Sequence, residues 1–149
     1  MRRQVLGAGI LILVQSGLGM FVNLFVSLPT RHSGAQPHNY VTGSLKSLVW
    51  ALDHGAFTLA VHTVLGVLLA FLVIDIAARS FRFPRRSLAW WSILGALFTV
   101  GAGFNGASFL DYNKNVSSFI MTVLALGALA CFFIVLYALP RESARDVTT

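Results

Sequence analysis

Four long apolar blocks, at residues 5–27, 50–76, 88–110 and 116–139, leave this chain of 149 residues few ways to fold. A hydrocarbon core about 30 Å thick needs roughly 20 residues of helix rising 1.5 Å each, and every block has that length. Apolar residues make up 56% of the chain and charged residues 11%, more apolar surface than a soluble domain of this size can bury. The expectation is an all-α fold: an integral membrane bundle of four transmembrane helices forming a single domain over residues 1–149. The lipid bilayer is then its first partner, taking up the apolar surface that packing leaves over.

The formal charge of +6 would suit a nucleic-acid binder if the basic residues formed an aromatic-interleaved face. They flank the spans instead, so they report orientation and argue for no nucleic-acid partner. With the N-terminus inside, Arg2, Arg3, Arg79, Arg82, Arg85, Arg86, Arg141 and Arg145 are cytoplasmic and Arg31, Lys46 and Lys114 are not, eight against three. This predicts an N-in, C-in, multi-pass protein of the plasma (inner) membrane with both termini cytoplasmic. The start Met1-Arg2-Arg3 is that of a secretory signal, but the apolar run exceeds a signal core of about 7–15 residues and no small-x-small site follows. The first span is therefore read as a retained anchor. Cys131, the single cysteine, excludes an intramolecular disulfide and a cysteine-based metal cluster.

Between the first two spans, Pro29, Gly34, Pro37, His38, Asn39, Tyr40 and Gly43 favour turns over regular structure. The second loop carries Arg82, Arg85 and Arg86, placed at anionic headgroups, and Asp75 is spaced to pair with Arg79. The third, Asp111 to Asn115, reads as a tight polar turn, and the charged tail from Pro140 as a frayed end. Trp50, Tyr40, Trp90, Trp91 and Tyr137 collect where spans meet water.

Polar residues inside a span are costly and turn toward partners, so they identify the interior of the bundle. Gln15, Gly19 and Asn23 recur at four-residue steps in the first span, as do His54, Thr58, His62 and Gly66 in the second. The third span offers Gly101, Asn105 and Ser108, and the fourth Ser118, Thr122 and Ala125. In the expected orientation Asn23, His62, Asn105, Met121 and Thr122 fall at one depth in the outer half, with Asp53, His54 and Asp111 above them. Leu65 to Ile74 and Ala125 to Leu136 are nearly pure hydrocarbon.

This layer has two readings. In one, the polar groups hydrogen-bond across helices and set their register, each worth about 0.6 kcal/mol. In the other they line an outer-leaflet pocket around His62 for a cofactor, quinone, ion or small ligand. A neutral imidazole ligates heme iron well. His54 and His62, about 12 Å apart on one helix, would not share an iron. Spans one, three and four contain no histidine, so a second axial ligand at His62 would be Met121 or a residue of a second protomer.

The stretch His62-Thr-Val-Leu-Gly-Val-Leu-Leu-Ala, with Gln15-Ser-Gly-Leu-Gly-Met before it, resembles helices of the heme A synthases and of small four-helix membrane cytochromes b. In those families a histidine followed by a small-residue turn faces a porphyrin. The likeness implies heme b at His62 in an electron-transfer or accessory subunit, and the depth of the polar layer adds His54, Met121, Asn23 and Asn105 as the residues around it. The chain as a whole is also similar to small bacterial four-helix membrane proteins, which implies no activity. The alternative to cofactor binding is a non-enzymatic scaffold or assembly subunit, in either case with a membrane-protein partner or a second copy.

Catalysis finds no support: no nucleophile stands beside a base at helical spacing and no span holds paired carboxylates. The apolar inner half argues against a transport path. Gly101-Ala-Gly-Phe-Asn-Gly106 matches the dinucleotide fingerprint in letters, but inside a helix its N–H groups are already bonded, so its glycines read as a packing surface. His32 and His38 read as solvated loop residues, or as part of a lid over His54. Adjacent residues of a helix do not face one another, so Asp53 and His54 would have separate partners. The sequon Asn115-Val-Ser117 has no accompanying sign of a secretory route.

Overall fold

The computed structural model describes residues 1–29 and 31–139 as five helices: α1 (Arg2–Phe25), α2 (Tyr40–Asp53), α3 (Phe57–Ser80), α4 (Arg86–Tyr112) and α5 (Asn115–Ala138). The tail from Pro140, with Arg141 and Arg145 of the orientation count, lies outside the described residues. Helices α1, α3, α4 and α5 are each long and apolar enough to cross a membrane. They form a ring in which α1 packs on α3 and α5, and α4 packs on the same two. The pairs α1/α4 and α3/α5 are diagonals without close approach.

The ring is closed at the end where the chain begins. Arg2 donates from Nη1 to the carbonyls of Leu136 and Leu139, both at 3.3 Å, where the terminal turn of α5 leaves carbonyls without helical partners. Beside it the expected pair of Asp75 and Arg79 forms at 2.7 Å with both side chains about half exposed, and Gln4 of α1 donates to the same carboxylate at 3.1 Å. The main core fills this half of the bundle: Val5, Ile12, Val73, Ile76, Leu88 and Phe132 are essentially sealed. The two hydrocarbon stretches anticipated from the sequence supply much of it.

Helices α4 and α5 approach most closely through reciprocal glycines. A Cβ on Gly95 would stand 3.0 Å from the Phe132 ring and 3.2 Å from Cys131, and one on Gly127 would stand 2.9 Å from the Phe98 ring. The link between these helices is only Asn113 and Lys114, because Asp111 and Tyr112 extend α4 rather than forming a turn. Asn113 ends α4 in the left-handed region at φ 49°, a conformation asparagine tolerates well. Cys131, as anticipated, is buried in the bundle.

The largest departure from the sequence reading is α2. The segment read as turns becomes helical at Tyr40, and the second span does not begin at residue 50: Trp50 to Asp53 belong to α2, and α3 starts only at Phe57. Asn39 caps α2 by accepting from the Thr42 N–H at 3.2 Å. The helix ends at Asp53-His54-Gly55, where Gly55 lies so near the Ala51 carbonyl that a Cβ would come within 2.4 Å of its oxygen. At 14 residues, α2 is too short to span a bilayer.

It packs on α3 and α4 at the end of the bundle opposite the Arg2 clasp. Gly43, Ser44, Ser47 and Ala51 face inward, and Ala51 joins Val22, Leu59 and Leu110 in a second small core. Tyr40 donates to the Phe104 carbonyl at 2.8 Å and contacts Ser108 Oγ at the same distance. Phe104 is about 12 Å along α4 from its final residue, so the start of α2 is tied well below the end of the bundle. The preceding loop folds back over α2, with Gly34 at φ 103° against Ser47 and Pro37 against Gly43.

Candidate functional site

Of the polar stripes read from the sequence, those of α1 and α3 meet in the structure. Gln15 and Gly19 of α1 face His62 and Gly66 of α3. Gln15 donates from Nε2 to the His62 backbone carbonyl at 2.7 Å, and the His62 ring lies over Gly19, where a Cβ would be 3.0 Å from Cε1. Gly66 makes room for the Gln15 amide, which a Cβ there would approach to 2.9 Å. Two atoms in this contact are buried without a hydrogen-bond partner, Gln15 Oε1 and His62 Nδ1. Such atoms are uncommon in native interiors and mark the contact as the place in the spans where a ligand or water would gain most.

The remaining members of the layer do not converge on it. Asn23 is exposed on α1. Asn105 donates to the Gly101 carbonyl and Thr122 to the Ser118 carbonyl, each one turn back on its own helix. Met121 packs on α4, its sulfur 3.4 Å from where a Cβ of Gly106 would stand, and α3 and α5 are diagonal. His54 caps the end of α2, so it shares no helix with His62 and the estimate of 12 Å between them does not apply. Gly101 and Gly106 serve as a close-packing surface within an unbroken α4.

A cleft of about 50 Å³ lies between α1 and α5 and another of about 370 Å³ lies on α2, and His62 lines neither. His62 is turned to a glycine of α1 and Met121 to a glycine of α4. Among the described residues no group of three or more histidine, cysteine or carboxylate side chains could hold a metal ion.

The second polar assembly, at the α2 end, was not anticipated. Asp111, expected in an exposed turn, is 2% exposed and accepts from Ser44 Oγ at 2.9 Å, while its Oδ1 has no partner. Its carbonyl accepts from the Gln36 N–H at 3.0 Å, and the His32 ring reaches the Leu110 carbonyl at 3.1 Å while stacking on Trp50 at 4.3 Å. Thus His32 belongs to a folded cap rather than to a solvated loop. The signal for that cap was present in Asn39 as an N-cap and in Gly55 past the end of a helix.

No family model, curated protein or solved structure matches the chain.

Proposed function

We propose that this protein is a non-enzymatic accessory or scaffold subunit of the plasma membrane, with both termini cytoplasmic, whose intramembrane polar residues hold helices in register for assembly with a membrane-protein partner or a second copy. The observation carrying this reading is where those groups are bonded. Gln15 ties α1 to the α3 backbone, whereas Asn105, Thr122, Thr99 and Ser16 bond to carbonyls of their own helices. Gln15 is thus the group that fixes register between two helices, while the other four are satisfied within their own helices and line no pocket. The arginine-rich connection between α3 and α4 supports the orientation, being short enough to remain on the cytoplasmic side with Arg2 and Arg3.

A b-type heme or a quinone at His62 is the second reading, favoured by the two unpartnered atoms Gln15 Oε1 and His62 Nδ1. An ultraviolet-visible spectrum of the gently solubilised protein, oxidised and then dithionite-reduced, separates heme from the scaffold reading. The expected spectrum has no Soret band, and adding hemin produces none. A Soret band lost in His62→Ala would replace the scaffold reading with the heme one. For a quinone, extraction and chromatography of the purified protein should recover less than one equivalent.

The same pair of residues gives a stability prediction. Gln15→Leu deletes one interhelical hydrogen bond but also an unpartnered buried oxygen, so unfolding in bicelles should change by less than about 1 kcal/mol. A much larger loss would mean that Gln15 holds a bound molecule as well as α3.

A further inference from the structure

The outward side of α2 divides into two strips that no part of the bundle covers. Counted at about 100° per residue, Val41, Leu45, Val49 and Leu52 form an apolar strip, and Thr42, Lys46 and Asp53 form a polar strip beside it. All seven are exposed. Gly43, Ser44, Ser47 and Ala51 occupy the opposite side and face the protein. A short helix that packs small residues inward and shows adjoining apolar and polar strips outward is built for the boundary between acyl chains and headgroups. The tie of Tyr40 to Phe104 sets the first turn of α2 below the end of α4, and Ser44 meets Asp111 near that end, so α2 spans the depth where acyl chains give way to headgroups.

The cleft of about 370 Å³ runs along the seam between the strips. Leu45 and Val49 make an apolar wall on one side of it and Trp50 stands on the other, while Ser33, Thr42, Lys46, Asp53 and His54 supply its polar groups. Lys46 and Asp53 lie two turns apart on one side of the helix, about 10 Å along its axis, and neither forms an ion pair among the described residues. One cation and one anion at either end of an apolar wall match a headgroup that carries both charges. A purely anionic headgroup would satisfy Lys46 and be repelled by Asp53.

We propose that this cleft seats a zwitterionic phospholipid of the phosphatidylethanolamine type: its phosphate on Lys46, its primary ammonium on Asp53, and its glycerol and upper acyl carbons along Leu45 and Val49. A primary ammonium donates hydrogen bonds to a carboxylate, which a quaternary ammonium does not. The assignment rests on the membrane placement of the chain and is independent of whether His62 holds a cofactor.

The test is native mass spectrometry of the full chain after equilibration with vesicles of equal parts phosphatidylethanolamine, phosphatidylcholine and phosphatidylglycerol. The wild type should retain phosphatidylethanolamine about fivefold over either competitor. Lys46→Glu and Asp53→Lys should each abolish that preference, and the exchanged pair Lys46→Asp with Asp53→Lys should restore it, because a zwitterion can bind reversed. Thermal melting of each variant beside the wild type checks that loss of retention is not loss of fold. Equal retention of the three lipids, or undiminished preference in both single variants, would overturn the proposal. Equal displacement by soluble phosphoethanolamine would overturn it as well, since the apolar wall would then contribute nothing.

Discussion

Gly95→Leu should destabilise the bundle by on the order of 3 kcal/mol, measured as reversible unfolding in bicelles. At Gly95 even a Cβ would be 3.0 Å from the Phe132 ring and 3.2 Å from the Cys131 Cβ, and Phe132 is 1% exposed, beside a space of only about 50 Å³ that is too small to take up a leucine and a displaced ring. A leucine forces α4 and α5 apart along their whole contact, because Gly127 against Phe98 relies on the same spacing. Dispersion contacts between helices in lipid are not replaced by a hydrophobic driving force, so the separation is not recovered elsewhere. Gly103→Leu is the matched control: nothing lies within 4 Å of its Cβ position, and the substitution should leave unfolding nearly unchanged. An equal loss in both variants would show that leucine in α4 is disruptive in itself and that the α4/α5 contact is not the cause.

Gly34→Val should release the α2 cap while sparing the four long helices. Gly34 has φ 103°, which a β-branched residue avoids, and its Cβ would come within 2.3 Å of Ser47 Oγ and 2.5 Å of the Ser47 backbone nitrogen. Backbone strain alone costs about 1–3 kcal/mol, and the clash with backbone adds to it. Since the cap is tied to α4 by few bonds, at Asp111, Leu110, Phe104 and Ser108, that amount is enough to open it. Hydrogen exchange should show residues 31–53 losing protection by about tenfold or more, with α1, α3, α4 and α5 unchanged. Uniform loss of protection in every helix would mean that the cap and the bundle unfold as one unit.

What could be read from the residues followed from length and hydropathy. A run of over 20 apolar residues has one outcome in lipid, so all four long helices were legible, three of them to within a few positions, whereas the second was read as starting at residue 50 and starts at Phe57. Which helices are neighbours was not legible: the four-residue spacing marked a stripe on each helix, and only the structure sets Gln15 and Gly19 against His62 and Gly66. The polar layer failed because hydropathy reports depth and not direction. Asn105 and Thr122 have the right depth, but each satisfies itself one turn back, an option open to any short polar side chain in a helix.

Helix α2 was missed for a different reason. Apolar content ran through Trp50 into the next span, and the stop at His54 and Gly55 was outweighed by that continuity. Asp111 was misplaced because a carboxylate at a helix end is ordinarily solvated. Its burial depends on Ser44 and Gln36, which are far away in sequence and brought to it only by the folded cap.

The clasp between Arg2 and the last carbonyls of α5 has a consequence for how the protein is made. Helices α3, α4 and α5 each meet their predecessor in the ring soon after emerging, but α1 borders α5, the latest made of the five described helices. Until then one flank of α1, including Val5 and Gly9, has only lipid or the insertion machinery beside it. Completion of the ring is thus a single late event joining segments more than 130 residues apart. A nascent chain stopped after α4 would carry an open seam, the state in which a membrane chaperone or a second copy of α5 would find its opportunity.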